Sequence, residues 1–229
     1  MKKVLIIAAA ALFIGSTASA QDVMKQTGGE QNLEVMFAPL GGSPIGINGI
    51  KYRSFSSATT AWRATVFLGL GSKTTKTLGG GSDGEDELKT TKSNFDISIR
   101  PGIEKHFLGT DRLSPYYGAE ALIGFGTKSE KSDQIYDPME GDFTSVKTSS
   151  QGSLTLGVNG IAGVDFYFAD NIYLGAELGF GIAYTMEMKE TQEFLTGDGD
   201  EVDSVEVPGG SSFNVGPNVV GAIRLGFLF

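Results

Sequence analysis

The chain has no cysteine, one histidine and one tryptophan, and beyond its first 20 residues no apolar run long enough to cross a bilayer as a helix. Each absence excludes something. Without cysteine there is no disulfide framework and no thiolate ligand or nucleophile, so stability has to come from burial and backbone pairing. A spanning helix needs roughly 20 consecutive apolar residues, and the segment after residue 20 offers none. Positive charge is scarce too: 18 Lys and Arg stand against 27 Asp and Glu, a net charge of -9 that argues against nucleic acid as a partner.

The opening "MKKVLIIAAAALFIGSTASA" pairs Lys2 and Lys3 with an apolar run from Val4 to Gly15 and a small-residue site at Ala18-Ser19-Ala20. That order reads as a cleavable secretory signal peptide over residues 1–20. Removing it leaves 16 basic against 27 acidic residues, a net charge of -11. Residues 21–31 then read as a short N-terminal tail and 32–229 as a single domain.

What the rest contains is period two. Counting back from Phe229, alternate residues are Phe227, Leu225, Ile223, Gly221, Val219, Pro217, Val215 and Phe213, with Gly226, Arg224, Ala222, Asn218 and Asn214 among those between. Such alternation is the mark of a strand with two unlike faces. It recurs from Ile172 to Met188, Leu154 to Phe168, Pro115 to Thr127, Asn94 to Phe107, Trp62 to Gly71 and Leu33 to Phe37. An eighth segment, Ile45 to Phe55, changes parity midway, which predicts a bulge near Asn48-Gly49.

The second face decides between a secreted sandwich and a membrane barrel. It is made chiefly of Gly, Ala, Asn and Ser with scattered charges, which suits the narrow interior of a barrel of about eight strands better than a wetted sheet surface. Connection lengths agree. Links at 56–60, 108–114 and 169–171 are short, whereas 72–93, 128–151 and 189–211 are long, and they alternate along the chain as the two ends of a meander require. Aromatics cluster near both ends of the apolar face. The reading is an all-β, eight-stranded antiparallel up-and-down transmembrane β-barrel preceded by a cleavable signal peptide, with the long loops outside the cell and both termini in the periplasm of a Gram-negative bacterium.

With its eight alternating segments and a last strand ending on Phe229, the chain resembles the OmpX/OmpA-type small outer-membrane β-barrels over residues 32–229. That resemblance implies an outer-membrane address, lipid as the surrounding partner, and Phe229 and Phe227 as part of the signal read by the outer-membrane insertion machinery. It implies little about function.

The polar-face charges Glu34, Lys51, Arg53, Arg63, Glu104, His106, Glu120, Asp165, Glu177 and Arg224 all fall in the half nearest the short turns. Charges shut away from water must pair, which predicts an ion-pair network plugging that half, with Glu177 and Glu120 as partners for Arg224. His106 could be a general base, but no serine or cysteine nucleophile accompanies it in the sequence pattern, so it reads as part of that network. The acidic stretch "TGDGDEVDS" misses the EF-hand spacing because Val202 and Gly209 stand where acidic ligands are needed. No catalytic residue, metal site or cofactor is expected. The function expected is a non-enzymatic barrel whose loops 72–93, 128–151 and 189–211 serve surface interaction with a protein partner, envelope stabilisation or membership of a larger assembly. The alternatives are a small gated channel for polar solutes and, third, a lipid-modifying enzyme.

Overall fold

The computed structural model describes residues 25–37, 47–78, 87–135, 144–195 and 201–229; the signal segment lies outside the described residues. Nine strands follow in chain order: β1 (Gln31–Phe37), β2 (Ile47–Ser57), β3 (Thr60–Leu78), β4 (Glu87–His106), β5 (Leu113–Ile135), β6 (Thr144–Ala169), β7 (Ile172–Leu195), β8 (Glu201–Val207) and β9 (Ser211–Leu228). All neighbours are antiparallel, and β1 pairs with β9 as well as β2, so the sheet closes into a ring of eight. The ninth strand arises because one wall position is in two parts: β8 pairs with the upper half of β7 and β9 with the lower half, and Pro208-Gly209-Gly210 interrupts them. In the β1–β2 ladder Met36 faces Gly49 and Phe37 faces Ile47, leaving Asn48 as the extra residue at the expected bulge.

Alternation sorts side chains by size and charge in the reverse of a water-soluble core. Outward residues such as Leu68, Ile123, Leu178, Phe180 and Val215 are large, apolar and exposed. The inward face instead buries Arg53, Arg224, Lys51, Glu34 and Glu104 completely. Glycine makes this possible where a large inward group crosses a neighbouring strand. A Cβ at Gly163 would lie 2.5 Å from the Tyr116 ring, one at Gly226 would overlap Tyr173, and one at Gly175 would meet both the Arg224 guanidinium and Asp165. The run of small residues on the polar face is therefore space left for a few large ones.

The long connections expected at 72–93, 128–151 and 189–211 are mostly strand. β3 and β4 pair as far as Leu78↔Glu87, β5 and β6 as far as Ile135↔Thr144, and β7 continues to Leu195. The two-faced pattern fades there because neither face of the sheet meets lipid, and Thr, Ser and Lys occupy both. Thr has strong strand preference, and hydroxyl pairs tie the ladders: Thr74–Thr91 at 3.1 Å and Thr90–Ser132 at 2.9 Å. Strands of 20 to 26 residues in β4 to β7 exceed the ~9–11 that cross a bilayer, so this wall stands well clear of it.

Candidate functional site

The short-turn half of the lumen holds one connected cluster of charges. Parity puts these residues inside, and the ladders set their height. Arg53 on β2 is the hub: its Nε lies 2.7 Å from Glu34 and its Nη1 lies 3.0 Å from Glu104 and 2.9 Å from Asp165. It also bonds the Tyr173 hydroxyl and lies against the Phe55, Tyr116 and Tyr173 rings, with centroids 5.4, 5.8 and 5.1 Å away. Arg63 grips Glu177 through both Nη atoms at 2.8 and 2.9 Å, and reaches Glu104 at 2.7 Å and Glu120 at 3.2 Å. Lys51 donates to Glu177 at 3.0 Å, and the Tyr116 hydroxyl bonds the same carboxylate.

Arg224 reaches one of its two expected partners, Glu177, but only as the longest of its three ion pairs. Its Nη1 meets Glu34 at 2.9 Å and its Nη2 meets Asp165 at 3.0 Å, while Glu177 is 3.8 Å away. Glu120 turns instead to Arg63, Asn159 and Arg100. Arg100, on the upper margin, is the base missing from the sequence reading. With it the cluster counts five acids against five lysine and arginine side chains. Desolvating ten ions is costly, and only mutual pairing with multiple hydrogen bonds offsets it.

Below the ions lies a tier of aromatic and amide groups. Phe55, Tyr116, Tyr167 and Tyr173 are buried, and His106 sits 5.3 Å from the Phe55 centroid and 5.1 Å from that of Tyr116. The histidine does have a serine beside it, contrary to the pattern-based expectation. Ser114 Oγ is 2.9 Å from His106 Nδ1, and His106 Nε2 is 3.3 Å from Glu104. The sequence pattern hides this because the two residues meet across the β4–β5 connection. Ser114 is fully buried, however, and the Gln26 amide donates to its Oγ at 2.6 Å, so the trio fastens the N-terminal segment.

That segment is the second feature missed. Gln26 is 4% exposed, accepts from the Tyr167 hydroxyl at 3.0 Å and reaches His106 at 3.2 Å. Gly28 and Gly29 turn the chain at positive φ (118° and 97°), and Gly29 N–H bonds the Phe55 carbonyl. Burial works against ionisation of Glu30, yet bonds from Thr27 and Gly28 hold its carboxyl below the usual glutamate range. Residues 25–30 are thus bonded to the short-turn end of the barrel, chiefly through Gln26 and Gly29.

Phe227 and Phe229 stack on the outer face at the same end, with centroids 6.3 Å apart. Among the described residues no group of three or more His, Asp or Glu is placed to hold a metal ion, and residues 196–200 of the acidic stretch lie outside them.

With closure, an inverted polarity and a charged lumen established, comparison with known proteins decides the family. The family model described as "Putative OmpA-OmpF-like porin family" matches residues 86–200, half of the chain. The chain belongs to this family of OmpA-OmpF-like porins. It is an outer-membrane β-barrel protein of porin-like type. Among solved structures it is similar to a major outer membrane protein from Thermus thermophilus, at 14% identity and a TM-score of 0.40, over 87% of this chain and 99% of that one. No curated protein matches the chain. The family match covers β4 to β7 (Glu87–Leu195), the strands that carry Glu104, Glu120, Asp165 and Glu177.

Proposed function

We propose that this porin-family barrel is a non-conducting outer-membrane anchor that carries the hydroxyl-rich upper sheet outside the cell for interaction with other proteins. The observation that carries this reading is the fully buried ion layer: Arg53, Arg224, Lys51, Glu34, Glu104 and Asp165 have no exposed surface, and they lie across the lumen. Gln26 and the buried tyrosines add a second closure beneath it. An orientation with the short turns in the periplasm and the long hairpins outside follows the pattern of small barrels, and it places both termini in the periplasm. In this reading Phe227 and Phe229 meet the insertion machinery during biogenesis, and lipid surrounds the outward apolar face. No catalytic step is assigned.

The test is electrical. Purified protein inserted in a planar bilayer should show no long-lived, uniform conductance steps of porin size at any holding potential. Reproducible steps from the wild-type chain would instead favour a channel for polar solutes.

A further inference from the structure

Among the described residues the upper barrel wall is incomplete. One ladder row crosses six strands, Thr74–Thr91–Lys131–Thr148–Glu193–Ser204, and ends there, because β8 pairs only with β7 among the described residues. β1 last pairs with β9 at Phe37↔Ile223, 16 residues below Val207, or about 50 Å along the strand. An uncovered edge presents a row of backbone N–H and C=O groups.

The two faces of β8 specify what would fit beside it. On the outward face stand Ser204 and Glu206, opposite Glu193 and Thr191 of β7, because the extra residue in β7 between Glu187 and Glu190 reverses its parity; on the inward face stand Val205 and Val207. Val205 and Val207 are 43% and 37% exposed, whereas β3 to β6 carry mostly Ser, Thr and Lys at these heights. From residue 187 to 207 there are eight acidic residues and one base, Lys189, which bonds Glu206 at 2.6 Å. A strand added to this edge would set alternate side chains against Glu206 and against the two valines.

We propose that β8 is a strand-addition site for an extended polypeptide in which cationic residues alternate with apolar ones. Backbone pairing supplies the affinity and the alternation supplies the selectivity. The inference rests on the proposed function only for which side of the membrane the partner approaches from.

The probe is a fluorescent heptapeptide of alternating Lys and Val, titrated by anisotropy into the protein in nanodiscs. It should bind about tenfold more tightly than a block peptide of the same composition, or one N-methylated at alternate positions. Glu206→Lys should weaken binding about tenfold, while Glu130→Lys, an exposed charge reversal on β5 of the same sheet, should change it little. Equal binding of the block or N-methylated peptide, or equal loss with both substitutions, would show diffuse attraction to acidic groups and overturn the site. Retained heat-modifiable mobility on gels confirms that each variant is folded. Conductance from the wild-type barrel would sink the sealed-anchor reading without touching this one.

Discussion

Arg53→Met should destabilise the folded barrel by about 3–5 kcal/mol, the cost of leaving buried charges without a partner. Arg53 touches Glu34, Glu104 and Asp165 at once, and all three carboxylates are fully buried. Methionine has the volume and apolar stem to stay beside Phe55 and Tyr173, so packing loss is small and the effect reports the charge. Urea unfolding in lipid vesicles, followed by gel mobility, reads it. Combining Arg53→Met with Glu104→Gln should recover part of the loss, because four cations then face four anions. A change below about 0.5 kcal/mol for the single variant would mean that the layer is hydrated, not buried.

Leu178→Arg should cost about 2–4 kcal/mol, the range for a cation at the middle of a barrel's lipid face. Leu178 points outward and is 60% exposed in the isolated chain, so in a water-soluble protein the same change would be nearly neutral. The comparison is Ser204→Arg, also outward but on β8 beyond the apolar band, which should leave refolding yield and urea midpoint almost unaltered. Equal tolerance of both substitutions would contradict the assignment of the outward face to lipid.

How far the residues themselves disclosed this arrangement differs from element to element. Period two places a side chain inside or outside, and that alone sorted Glu34, Arg53, Glu177 and Arg224 to the lumen. Parity carries no height, so it could not pair them: Arg224 meets Glu34 and Asp165 because β9 sits between β1 and β7 with β6 beyond, an adjacency fixed only by closure and stagger. Arg100 was visible on the polar face, but its place at the margin depended on the β4–β5 ladder. Gln26 gave no signal, since a single amide in an aperiodic stretch has no pattern to detect. The upper strands were hidden for the opposite reason. Thr-rich, two-sided polar sequence resembles loop when read for hydrophobic alternation, although Thr74, Thr75, Thr77, Thr90 and Thr91 are what a strand favours.

The central claim is that the large apolar face lies against lipid while the charges lie within, and the chain carries its own probe of this. Trp62 is the sole tryptophan, points outward beside the short-turn end and is 62% exposed in the isolated chain. Refolded into vesicles of brominated phosphatidylcholine, the protein should lose most of its tryptophan emission, and aqueous acrylamide should quench it weakly. Emission indifferent to bromine and open to acrylamide would place that face in water and contradict the account.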